Sequence, residues 1–259
     1  ILLALFLPGG RKAWVARADI DVKQLSMNLI WSFLSSASAA VLMMGFPNIL
    51  KESEANQDDY TKVVLGTLIL AISITRSPIM IPLQAFQGVA VSAFLKQQHR
   101  PVAAFIKPAA AVLGIGAAGA GAAYLIGPLL FRLIYPPKPE TQAVYDHVIT
   151  GAVLGILVFG SAMLALVTLS GNMVLAINRH RAYVAGWAVA AVVAIAAAFL
   201  VPLPLVGRAL VALYAGPLSG FIVHVMAMRI HARSAAQALS EGEALREILV
   251  EGTSRDETH

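Results

Sequence analysis

Arg76 is the residue in this chain whose presence most needs a chemical reason. It stands about 13 residues inside an apolar run from Val63 to Leu95, roughly 20 Å along a helix axis and beyond easy snorkelling distance from either end. A guanidinium at that depth costs at least about 2.5 kcal/mol on insertion scales, so it normally faces water, a counter-charge or an anionic ligand. No Asp or Glu stands inside any of the long apolar runs to pair with it. At 100° per residue, Ser73, Arg76, Gln84 and Gln87 share a sector of about 80°, a polar stripe on an otherwise apolar helix. Pro78 and Pro82 lie in the same stretch and free backbone carbonyls. Two readings stand: a hydrated cavity lined by a cation and amides, or a bend whose freed carbonyls Arg76 caps.

Weaker stripes run along two other segments: Asn28, Ser32, Ser35 and Ala39 share one face, as do Thr150, Ser161, Thr168 and Asn172. Small hydroxyls in such rows serve helix packing more often than cavity lining, although Asn28 and Asn172 are retained as candidate ligand contacts. Gly114, Ala118 and Ala122 repeat at four, as do Ala117 and Gly121, which predicts tight helix contact there. Enzyme signatures are missing from the sequence. The six histidines include no HExxH pair, there is no Cys, and Asp146 beside His147 has no nucleophile in reach by sequence. His224, in the last apolar run, fits a hydrogen-bonded packing role. The glycines near Gly114 are followed by no phosphate-loop Lys and Ser or Thr, so no cofactor and no metal is expected.

The elements that must hold Arg76 are membrane helices. Hydrophobic residues make up 58% of the 259 and charged residues 13%, about half the usual share, which excludes an ordinary soluble domain. Six runs can cross a bilayer: Ser26 to Leu50, Val63 to Leu95, Val102 to Leu130, Val148 to Ile177, Tyr183 to Val201 and Ala209 to Met228. They show no barrel-type alternation, so the fold class is all-α, a polytopic transmembrane helix bundle. Of the 19 basic residues, 13 fall in alternate connectors and the C-terminal tail, and only five in the opposite set, where Glu52, Glu54, Asp58 and Asp59 cluster. By the positive-inside rule the first set, the tail included, is cytoplasmic. The +5 charge therefore reports orientation, and no nucleic acid is expected as a partner. Residues 1–7 are too short to span and read as the end of a preceding transmembrane helix, so an N-terminal lobe is expected before them. Residues 8–25 then form a cytoplasmic linker, 26–228 the six-helix lobe, and 229–259 a cytoplasmic tail with a short surface helix that frays after Gly252.

Three stretches carry a resemblance. TRSPIMIPLQAFQGVAVSAFLKQQHR, which holds Arg76 to Arg100, is similar to the Arg- and Pro-bearing eighth helix of polysaccharide flippases in the multidrug, oligosaccharidyl-lipid and polysaccharide exporter superfamily. GPLLFRLIYP, Gly127 to Pro136, resembles their short outer motif after the ninth helix, and SGNMVLAINRHRAYVAGW, Ser170 to Trp187, their turn between the tenth and eleventh. The resemblance implies one lobe of a two-lobe transporter that rocks about a central cavity and carries a lipid diphosphate-linked glycan, a membrane transporter and not an enzyme. It implies that Arg76 receives the diphosphate, with Gln84 and Gln87 meeting sugar or water. The rivals are a drug or cation antiporter of the same superfamily, disfavoured because the spans lack acidic residues, and a membrane-embedded glycosyltransferase or polymerase, for which the outer loops are short and plain. The expected location is the cell inner (plasma) membrane, and the expected partners are the glycan lipid, the bilayer and the other lobe.

Overall fold

The computed structural model of the protein describes residues 22–54, 58–98 and 100–256. Among them there is no strand. Helix α1 (Val22–Ala40) runs through a π-helical turn (Val41–Gly45) into α2 (Phe46–Glu52), and the three together make the first membrane-length rod. Then follow α3 (Asp59–Leu95), α4 (Pro101–Ile134), the short α5 (Gln142–Val148), α6 (Gly151–Ala176), α7 (His180–Leu200) and α8 (Leu205–Asp256). Six of these rods are long and apolar enough to cross a membrane, at Leu25–Glu52, Asp59–Leu95, Pro101–Ile134, Gly151–Ala176, His180–Leu200 and Leu205–Ala238. The protein is a multi-pass all-α bundle. Each observed rod encloses or closely tracks the apolar run expected for it. The expected stub and most of the linker lie outside the described residues, and positions 22–25 are already helical.

Local chemistry sets the helix ends. Asp58 stands before α3 in extended conformation and its carboxylate accepts the Thr61 amide at 2.8 Å, which also holds that carboxyl below its ordinary range. Thr150 was grouped by spacing with the polar stripe of α6, but it is that helix's N-cap, accepting from the Val153 amide at 3.2 Å. Asn178 closes α6 with φ of 59°, in the left-handed region that asparagine tolerates.

Helix α6 is the most buried rod, enclosed by α3, α4, α7 and α8, while α4 is the most exposed. Within lipid there is little hydrophobic drive between helices, so close approach of small residues decides which faces meet. The most extensive pairing joins α7 to α8. Gly186, Ala190, Ala194 and Ala198 recur every four residues on α7 and are buried against Ala209, Ala212, Gly216 and Gly220 of α8. A Cβ at Gly220 would lie 2.6 Å from the Gly186 carbonyl and 2.8 Å from the Ala190 methyl.

Two expectations are corrected. Gly114, Ala117, Ala118, Gly121 and Ala122 are exposed, and the α4 face that packs carries Gly116, Gly119 and Gly127, set against Ala162, Val158 and Leu154 of α6. Helix α4 is rich in Gly and Ala on every side, so a four-residue repeat of small residues does not identify the face that a neighbour's side chains enter. The C-terminal segment is not a separate short helix: α8 continues unbroken through Arg229 and past Gly252 to Asp256. No Pro interrupts Arg229 onward, and Ala, Glu, Arg and Leu there favour helix.

The packing predicts opposite outcomes for two glycines. Gly220→Ala should destabilise by about 1–3 kcal/mol through overpacking and lower the thermal midpoint in detergent. Gly121→Ala, with nothing within 4 Å of the added methyl, should leave that midpoint unchanged or raise it slightly.

Candidate functional site: a cavity in front of Arg76

The site begins with a proton that Pro47 does not have. In an α-helix the N–H of residue 47 would bond the carbonyl of Met43, and in the π register of Val41–Gly45 it would bond that of Leu42. Proline supplies neither bond, so one of these two carbonyls is left short of its helix donor. Arg76 of α3 fills the gap. Its Nη1 donates to Leu42 O and to Met43 O, each at 3.2 Å, and its guanidinium carbon lies 5.6 Å from the centre of the buried Phe46 ring.

Both sequence readings of Arg76 therefore hold in part. It does cap freed carbonyls, but they belong to the preceding span and not to the stretch around Pro78 and Pro82, through which α3 stays helical. A cavity of about 260 Å³ also opens before it, lined by Ser73, Arg76, Ser77 and Gln84 on α3, by Met43 and Pro47 on the first span, and by Leu164 of α6. No carboxylate is among the lining residues. A guanidinium has five N–H donors, and Nη1 uses its two on the carbonyls. The Nε and Nη2 edge has no partner among the described residues. That edge is the planar fork which matches two oxygens of a phosphate or carboxylate. Ser73 and Ser77 donate back to Ile69 O at 2.8 Å and to Ser73 O at 2.9 Å, so their hydroxyl oxygens offer only lone pairs to the space. Its donors are Arg76 and the exposed amide of Gln84.

The other expected contacts are not brought into this cavity. Gln87 is half-buried one turn further along α3 and does not line it. Asn172 is 7% exposed on α6, and its amide nitrogen has no hydrogen-bond partner among the described residues, but it too lies off the lining. Asn28 is on α1, with its side chain outside the described residues. Sequence reading missed Pro47 and the two carbonyls, although a proline three residues before the end of an apolar run was the available signal.

Three other polar groups have structural duties. His224 is fully buried in a notch left by Gly171 and Gly186, with Nδ1 2.9 Å from Ser170 Oγ and Nε2 3.2 Å from Tyr183 O, the hydrogen-bonded packing role expected of it. Asp146 is not isolated: it accepts from Arg132 at 2.8 Å and from Gln142 at 3.0 Å. Arg208 pairs with Glu54 and also reaches Ser53 O at 3.3 Å, tying the start of α8 to the connector after α2. Among the described residues no three His, Asp or Glu side chains converge in a metal-holding group.

No family model and no solved structure matches the chain. The chain is 38% identical over 228 residues to the uncharacterized protein Rv1510 of Mycobacterium tuberculosis, covering 88% of this chain and 50% of that one. It is 34% identical over 197 residues to the uncharacterized protein Mb3654 of Mycobacterium bovis, covering 76% of this chain and 43% of that protein. The chain thus spans about half the length of the curated relatives it matches.

If Arg76 substitutes for the missing proline donor, the two positions are energetically coupled. Arg76→Met should destabilise by about 1–3 kcal/mol through the orphaned carbonyls. Adding Pro47→Ala, which restores an N–H, should recover part of that loss, so the double variant is more stable than the sum of the single effects by about 1 kcal/mol. Thermal unfolding of the four proteins in one detergent measures this, and strict additivity would refute it.

Proposed function

We propose that this chain is one lobe of a transporter that flips a lipid diphosphate-linked oligosaccharide across the cell inner membrane by alternating access, with its C-terminus in the cytoplasm. The observation that carries the reading is Arg76 itself: its Nη1 is held on two backbone carbonyls, its Nε and Nη2 have no partner among the described residues, and it lines a cavity with no carboxylate in its lining. A fixed cation of that kind is a poor site for a cationic drug and a good one for an oxyanion. Gln84 offers an amide to a sugar hydroxyl or to water on the same wall. Gln87, Ser73, Asn28 and Asn172 have less support, since only Ser73 shares the lining.

The two-lobe part of the reading draws support from relatives about twice as long as the matched region, which leave room for a second lobe. The orientation draws on the 13 basic residues in alternate connectors and the tail, against five in the opposite connectors, by the positive-inside rule. No covalent step is part of the mechanism. The protein's work is to hold a diphosphate in a poorly hydrated space while the surrounding helices change which side of the membrane that space faces.

Arg76→Ala should reduce flipping of a fluorescent lipid diphosphate-linked glycan by at least about tenfold in proteoliposomes of the full-length protein, the loss of roughly one charge-assisted bond. Arg76→Lys should keep part of the rate, because the charge remains while the fork geometry is lost. Wild-type flipping by the Arg76→Ala protein would overturn the assignment, and drug efflux independent of glycan lipid would favour the antiporter instead.

A further inference from the structure

The geometry points to a second role for the same guanidinium: we infer that Arg76 couples occupancy of the cavity to the angle of the first span, with Val41–Gly45 and Pro47 as the hinge. The inference rests on the reading of the cavity as a diphosphate site. A π-helical turn is rare and carries one more residue per turn than its flanks, so it is a place where a helix can change direction without breaking. Here a proline follows after one intervening residue, and among the described residues the donor that reaches Leu42 O and Met43 O from outside the helix is Arg76 Nη1. Both bonds are 3.2 Å, at the long limit for N–H···O, and one nitrogen serves both carbonyls.

A diphosphate changes that balance. Its oxygens make shorter charge-assisted bonds, roughly twice as strong as neutral ones, and they meet the guanidinium first along its open Nε and Nη2 edge. A second phosphate group within reach then competes for Nη1. When Nη1 leaves, the hinge carbonyls lose their donor and the turn must find another arrangement. Helix α1, which precedes the hinge, packs along α7, whereas α3 packs on α6. A change of angle at the hinge therefore alters the spacing between the N-terminal half of α1 and the C-terminal half of α3. An empty cavity holds the turn as observed, and a loaded cavity releases it.

The chain has no cysteine, so paired spin labels read this spacing without background. Phe33 on α1 and Val89 on α3 are both exposed and lie on the far side of the hinge from the connector between the two spans. With Phe33→Cys and Val89→Cys labelled, in nanodiscs, farnesyl diphosphate should shift the distance distribution, and Pro47→Ala should abolish the shift while farnesyl diphosphate still binds by calorimetry. Gly45→Ala, whose methyl meets nothing closer than 3.7 Å, is the second variant should Pro47→Ala fail to fold, and it should reduce the shift. Binding to the unmodified protein with no change of distance would overturn the hinge and leave the diphosphate site standing. An equal shift in the hinge variants would also overturn it. Absence of any binding would remove the diphosphate reading first and the hinge with it.

Discussion

An N–H that proline cannot supply is the constraint around which the site is arranged. In water the carbonyl left unpaired by Pro47 would bond solvent; in a bilayer core it needs a donor from the protein. Arg76 gives it from the neighbouring span, and in doing so becomes a guanidinium with a fixed orientation. Two of its donors face backbone and three remain for the cavity. The partial negative charge on the carbonyls offsets some of the penalty of sinking the cation, and the Phe46 ring face adds to this. Arg76 thus has a structural reason to be where it is and an unfilled edge that the structural reason does not use.

The rest of the bundle keeps that arrangement rigid. Helix α6 passes behind the cavity and offers Leu164 to its wall, while its glycines admit α4 and the Tyr183 and His224 rings of α7 and α8. Helices α7 and α8 close against each other through Gly and Ala along most of their shared length, with His224 buried in that seam and Arg208 reaching Ala198 O at its end. Flexibility is therefore unevenly distributed: the tight α6, α7 and α8 core has little room to move, and the π turn lies at its edge.

Much of the architecture was legible in the sequence because the bilayer imposes a length on every apolar run, so the six spans follow from residue types alone. Arg76 was legible for the same reason, as a charge where hydrocarbon penalises charge. What its nitrogens touch was not, since the partner carbonyls come from 33 and 34 residues earlier and backbone leaves no mark in a list of side chains. The sector on α3 placed Ser73, Arg76 and Gln84 together correctly, but it could not tell that the first span and Leu164 stop short of Gln87. Small-residue repeats misled on α4 because several faces carry them, whereas on α7 the repeat from Gly186 to Ala198 was present and passed over. The end of the last span also escaped, since a change from apolar to charged residues marks where the membrane stops and not where a helix does.

That last point has a mechanical side. Helix α8 has 52 residues, a rod of about 78 Å, of which a bilayer core accommodates only about 30 Å. The remainder exceeds that thickness and is continuous with the most extensive helix pairing of the bundle. Tilting such a rod by about 10° about the middle of that pairing displaces its far tip by about 10 Å, while residues within one turn of the pivot move by about 1 Å.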